Sequence, residues 1–228
     1  MPSPGNCPVC ESGKTRPFLE IPNTPVFCNQ ICKSREEALA APLASIELSF
    51  CGSCGHVFNS AFAPEKMDYN PGYENSLHFS PRFQAYADDL AAGLIRRYGL
   101  RDKLILEIGC GRGDFLKTLC SMAPNRGLGF DPSHEASRDP DPGQGRVTIL
   151  PEGFSEAHAS PEAALICCRH CLEHIARPVP FLEMVRRAAG GTAATPVFFE
   201  VPNVLYTLRD GGIWDILYEH CGSFSPAS

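Results

Sequence analysis

From Leu104 onward the chain alternates short apolar runs with stretches of helical periodicity. Leu104-Ile-Leu-Glu-Ile108 is apolar but for one acid, and Phe115, Leu116 and Leu119 follow it at helical spacing. Further short runs occupy about 126–131, 146–150, 163–168 and 196–201, and residues 181–189 read as a helix closed by Gly190-Gly191. Buried strands alternating with helices predict a mainly parallel, doubly wound sheet of the α/β class. Ahead of it, Ser80 before Pro81 signals a helix start. Phe83, Tyr86, Leu90, Leu94 and Tyr98 give that helix one apolar face, and Gly99 ends it. A loop rich in Pro, Asp, Ser and Gly spans 133–145, whereas residues 1–65 are Pro-rich and lack long periodic stretches.

Composition narrows the picture in three ways. A chain of 228 residues can bury one full core, or a small module beside a medium one. A net charge of -6 argues against a nucleic-acid surface, because affinity for phosphate backbones comes from clustered Lys and Arg. The N-terminus has no charged start followed by an apolar stretch, and no 18 apolar residues run together, so a cytoplasmic protein without a membrane partner is expected.

The twelve cysteines change the picture more. Cys7-Pro-Val-Cys10 and Cys51-Gly-Ser-Cys54 are knuckle-like turns whose two-residue gaps put paired sulfurs on one side of a tight loop. Four thiolates make a closed tetrahedral site, the usual way structural Zn2+ is held, and a metal-dependent module is expected. A redox dithiol or unrelated cysteines are the other readings. His56 could replace a thiol, and Cys28 and Cys32 are rival ligands. Cys110, Cys120, Cys167, Cys168, Cys171 and Cys221 read as small buried apolar residues.

Candidate cofactor chemistry sits at Glu107-Ile-Gly-Cys-Gly-Arg-Gly113. Glycines directly after a strand let the backbone turn tightly and approach a ligand. The G-x-G-x-G spacing departs from the G-x-G-x-x-G that seats a pyrophosphate, and Glu107 would repel that anion while welcoming a ligand with an amino group. A second acid, Asp131, ends another apolar run 24 positions later and could accept hydrogen bonds from ribose hydroxyls. A dinucleotide unit, or a tight turn with no ligand, remains the other reading of the loop, and Asp131 before Pro132 could be a turn residue.

The glycine loop resembles motif I of class I S-adenosylmethionine-dependent methyltransferases. That resemblance implies a cofactor site of Glu107, Gly109, Cys110, Gly111, Gly113, Asp131, Phe154, Arg169 and His170. Cys168-Arg-His-Cys-Leu-Glu-His174 is similar to the stretch after the fourth strand in such enzymes. Together with the knuckles and Tyr218-Glu-His-Cys-Gly-Ser-Phe-Ser225, the chain resembles the zinc-containing C-methyltransferases that act on nucleotide-linked keto sugars.

This closer resemblance implies a Rossmann-like sheet behind a zinc-ribbon-like module: 1–65 binding zinc, 66–101 a linker and lid helix, 102–228 binding S-adenosylmethionine. It implies methylation of a carbon next to a ketone on a small molecule, a nucleotide-linked sugar or related intermediate. His220 would be the base, Glu219 its orienting partner and Tyr218 a substrate contact. Tyr73, His78 and Arg82 would meet substrate, and Arg82, Arg169 and Arg209 could pair with a diphosphate. The residues alone leave open that Tyr218, Glu219 and His220 merely finish a helix begun by Ile213, Trp214 and Leu217.

Family members continue into two more strands and a further α/β domain, so a chain ending at Ser228 is expected to be a fragment lacking the last strands. Gly222-Ser223 stands where a bulkier aromatic run is expected. O- or N-methylation of another metabolite, or a non-catalytic zinc-ribbon interaction protein with a truncated cofactor domain, are the competing functions.

Overall fold

The structure, a computed structural model, describes residues 5–67, 76–135, 145–160, 162–190 and 195–226. Tyr73 lies outside the described residues. In chain order the strands are β1 (Thr15–Pro25), β2 (Leu43–Cys51), β3 (Val57–Asn59), β4 (Leu104–Ile108), β5 (Arg126–Phe130), β6 (Val147–Leu150), β7 (Ala163–Arg169), β8 (Val197–Glu200) and β9 (Gly222–Ser223). The helices are α1 (Arg35–Leu39), α2 (Pro81–Tyr98), α3 (Asp114–Met122), α4 (Pro178–Ala188) and α5 (Val204–Asp210). Described residues within 1–68, 170–182 and 201–228 form one compact unit, and those within 69–169 and 183–200 form a second.

The first unit is built on an antiparallel sheet of order β1-β2-β3-β9. The β1–β2 hairpin was not expected from the sequence. Its outer strand carries Pro17, Pro22 and Pro25, which lack an N–H, and its register slips between Pro17 and Leu19 and between Ile21 and Thr24, where Asn23 takes φ 55°. An edge strand with irregularities tolerates proline, and its mostly exposed residues hide the alternation that marks a strand. Val26, Ile46, Leu48 and Tyr218 form this unit's larger apolar cluster. β9 pairs Gly222 with Phe58 and Ser223 with Val57. A Cβ on Gly222 would stand 3.4 Å from the His56 ring, an ordinary van der Waals contact with the residue that precedes β3.

The second unit holds a wholly parallel sheet of order β6-β5-β4-β7-β8, with β4 paired to β5 from Leu104↔Arg126 to Ile108↔Phe130. Strand order runs outward both ways from β4, the arrangement of a Rossmann-like fold, and the carboxyl ends of strands flanking such a point are where ligands bind. The expected strands are present within a residue or two of their predicted bounds.

α2 begins as expected, with Ser80 Oγ accepting from Phe83 N–H, and ends at Gly99 with φ 60°. Its buried face differs: Ala87, Ala91 and Leu94 are the buried residues, while Tyr86 is exposed. Alanines let α2 approach α3 closely, and the two helices share a core with Ile105, Leu116, Leu119 and Leu165. α2 thus belongs to the core of this unit. Residues 201–228, expected to continue the domain that starts at 102, cluster with the N-terminal module.

Candidate cofactor and metal sites

Why the loop after β4 needs glycine is visible in its dihedrals. Gly109, Gly111 and Gly113 take φ of 67°, 55° and 72°, all left-handed, where a side chain is strained. Gly109 N–H donates to the Phe130 carbonyl at 2.8 Å, carrying the β4–β5 ladder one step past the strand. A Cβ on Gly113 would meet Ile149 Cδ1 at 2.6 Å, and one on Gly129 would meet Cys110 Sγ at 2.5 Å. Cys110 is therefore packed beneath the loop.

Glu107 lies in β4, 3% exposed, and accepts from the N–H of Leu116 in the first turn of α3. No side chain caps that helix from its N-cap position, Gly113, so this strand carboxyl supplies a partner for one of the exposed N–H groups. Burial pushes Glu107 up to about 8 despite the nearby Arg169. Its Oε2 has no hydrogen-bond partner among the described residues.

Arg169, at the end of β7, is also buried. Its Nε donates to Glu200 Oε2 at 2.6 Å, and its guanidinium lies 3.9 Å from the Phe115 ring centroid. Tyr86 Oη donates to Glu200 Oε1 at 2.6 Å, and burial together with Glu200 raises that phenol to about 12. Arg169 Nη2 has no partner among the described residues. A buried carboxyl oxygen and a buried guanidinium nitrogen are thus both without a hydrogen-bond partner among the described residues.

Asp131 follows β5 directly. One carboxylate oxygen, Oδ2, accepts from Gly111 N–H at 2.7 Å, and Oδ1 accepts from Ser133 N–H at 2.8 Å and Oγ at 2.6 Å. It pins the glycine loop and has lone-pair capacity for a further donor. Phe154 is half-buried and edge-on to Phe130 at 5.1 Å, and His158 packs on Phe130 at 4.6 Å. His158 was not singled out by sequence. Ser155 three residues before it, whose hydroxyl and N–H both meet His158 Nδ1, is the signal that could have found it.

In the first unit the four expected cysteine sulfurs meet. Cys7 Sγ lies 3.6 Å from Cys54 Sγ and Cys10 Sγ 3.5 Å from Cys51 Sγ, and the ligand atoms of all four fall within 4.8 Å of one another. Each knuckle closes alike: Glu11 N–H donates to the Cys7 carbonyl and Gly55 N–H to the Cys51 carbonyl, both at 2.9 Å, with φ 58° and 77°. Sulfurs bound tetrahedrally at ~2.3 Å stand roughly 3.8 Å apart, so the set suits a zinc-sized ion. Burial works to raise the Cys51 thiol, but the N–H groups of Cys54 and Ser53 bring it down to about 7. His56 is buried outside this set, pushed down to about 4 by burial, with neither ring nitrogen partnered among the described residues. Cys28 is also elsewhere, its N–H donating to Glu219 Oε1 at 2.7 Å.

Around Glu219 lies the third group. Tyr218 is 1% exposed and its Oη accepts from Ala63 N–H at 2.9 Å. Glu219 is fully buried, with Oε2 3.9 Å from His174 Nδ1. His220 Nδ1 lies 3.0 Å from the Asp215 carbonyl, which can only accept, so Nδ1 carries the proton and Nε2 keeps its lone pair. Burial lowers His220 below its ordinary value, and burial and His220 lower His174 to about 3. His170, the first residue beyond β7, takes φ 50° and places Nδ1 3.9 Å from Glu173 Oε1. Of the alternative reading, a helix begun by Ile213 and finished by His220, only one short turn is present, Ile213–Asp215.

His78 Nδ1 lies 2.6 Å from Gln84 Oε1, within the second unit. Arg82 is exposed, and Arg209 is exposed and pairs with Asp210. No helix among the described residues is long and apolar enough to cross a membrane.

Residues 82–228 match the family described as a methyltransferase domain. No curated protein matches the chain. Among solved structures it is similar to the plantazolicin methyltransferase BpumL, in complex with a triazolic desmethylPZN analog and SAH, at 16% identity over 59% of this chain and 52% of that one, TM-score 0.41. It is similar also to the N,N-8-amino-8-demethyl-D-riboflavin dimethyltransferase RosA from Streptomyces davawensis, at 24% identity over 58% and 41%, TM-score 0.46. A third is CalO1, a methyltransferase in calicheamicin biosynthesis in its SAH-bound form, at 17% identity over 64% and 46%, TM-score 0.42. The chain spans about half the length of these proteins.

Proposed function

This chain belongs to the methyltransferase-domain family, and on that premise we propose that its second unit binds S-adenosylmethionine for methyl transfer to a small molecule. One observation carries the reading: buried Glu107 Oε2 and Arg169 Nη2 both lack partners among the described residues, and Glu107 lies in the strand that leads into three left-handed glycines. An amino-acid group, ammonium beside carboxylate, satisfies both atoms. An ammonium beside Glu107 favours the ionised carboxylate against the burial that opposes it, whereas a pyrophosphate would disfavour it further. Asp131 has capacity for a ribose hydroxyl, and Phe154 offers a ring face or edge to a base. When bound, the cofactor supplies a methyl group already activated on a sulfonium.

Within this reading the acceptor is a carbon next to a ketone on a nucleotide-linked sugar or related intermediate. The paired cysteine knuckles and the Tyr218-Glu219-His220 segment support it by resemblance. The tautomer of His220 supports it chemically, because a base needs the lone pair that Nε2 retains. Tyr218 and Glu219, both buried and hydrogen-bonded to backbone N–H groups, hold the segment that carries His220. Four thiolates of Cys7, Cys10, Cys51 and Cys54 hold structural zinc in the same reading.

The base is tested by solvent exchange. In deuterated water a keto-sugar nucleotide should gain deuterium next to its ketone without methyl transfer, and His220→Asn should abolish that exchange while cofactor binding persists. Undiminished exchange in the variant removes His220 as the base.

A further inference from the structure

We propose that Glu173, His174 and His220 form a second cation site, distinct from the four cysteines, for a divalent transition ion of the zinc, cobalt or nickel kind. One ligand atom from each of the three lies within 4.8 Å of the others, and all three residues belong to the first unit. Two imidazoles and a carboxylate are the nitrogen and oxygen donors such ions take, and three protein ligands leave a position open.

Each imidazole is held by a backbone carbonyl. His220 donates Nδ1–H to the Asp215 carbonyl, and the Glu219 carbonyl holds one nitrogen of His174. A metal-ligating histidine commonly gives its other N–H to such an acceptor, which fixes the tautomer and aims the remaining lone pair. The rings stand 4.9 Å apart between centroids. Donors sharing one ion at about 2.0–2.2 Å stand roughly 3.4 Å apart in a tetrahedral set, so binding draws these side chains inward by about an ångström.

Charge favours the same occupant. Glu173 and Glu219 are 2% and 0% exposed, and Glu219 Oε2 lies 3.9 Å from His174 Nδ1. A dication at this cluster adds positive charge beside these buried carboxyls. The site shares His220 with the methyl-transfer reading but does not rest on it. Should His220 be the base, an ion here takes the lone pair that proton abstraction needs and slows turnover.

The test uses the full chain with zinc at the cysteines, titrated with Co2+ alone. Uptake of about one further cobalt per chain is expected, with an absorption spectrum lacking thiolate charge transfer. Glu173→Gln, His174→Gln and His220→Gln should each weaken that uptake tenfold or more at unchanged zinc content and circular dichroism. Should a variant fail to fold, the wild type still decides: two paramagnetically shifted imidazole N–H resonances are expected, one from each histidine. No cobalt beyond the cysteine site, uptake indifferent to all three substitutions, or no shifted imidazole signal overturns the proposal. None of these readouts needs a methyl acceptor.

Discussion

At Glu107 the same burial that leaves an oxygen available for a ligand also makes the empty protein sensitive to pH. Burial pushes the folded carboxyl up to about 8 from an ordinary 4.5, so the native state holds this proton more tightly than the unfolded chain does. The stability it contributes is fully present below about 4.5 and is lost as pH rises through about 8. Denaturant unfolding should show Glu107→Gln gaining on the wild type across that window. A wild-type-to-variant difference that stays flat with pH contradicts it. Glu107 and Asp131 were legible as acids ending or nearly ending apolar runs. Asn125 was not: fully buried, it donates to the Leu100 and Leu119 carbonyls and accepts from Lys103 N–H, partners that only the fold assembles.

Among the elements, the turn from β4 into α3 carries the proposed cofactor site. Its glycine spacing was readable because a left-handed backbone leaves a residue-type signature, whereas the β1–β2 hairpin has exposed faces and prolines that conceal its period. β9 was hidden for another reason: two residues pair with a strand over 160 positions earlier. Gly113→Ala should cost about 1–2 kcal/mol for the left-handed backbone and roughly 1–3 kcal/mol more for crowding Ile149. Pairing it with Ile149→Ala should cost less than the two single changes summed, measured as a double-mutant cycle. Strict additivity would mean that Ile149 is not what the new methyl meets.

For the molecule as a whole, the parallel, doubly wound sheet followed from alternation of apolar runs and helices. The division into units did not, because residues 201–228 cluster with the N-terminal module through contacts that no local pattern encodes. Cys7, Cys10, Cys51 and Cys54 were legible because C-x-x-C spacing is local, and their assembly follows from the β2–β3 turn meeting the knuckle before β1. Elemental analysis should find about one zinc per chain at this site, lost in the Cys7→Ser, Cys51→Ser double variant, with the first unit unfolding on chelation. Undiminished zinc in that variant would move the metal elsewhere.

Cofactor binding by the second unit is tested by calorimetric titration with S-adenosylhomocysteine at neutral pH. One site per chain is predicted, weakened roughly tenfold, or about 1.4 kcal/mol, by Glu107→Gln and also weakened by Asp131→Ala. Absence of binding at about 1 mM ligand by the folded wild type, or affinity indifferent to both substitutions, would contradict it.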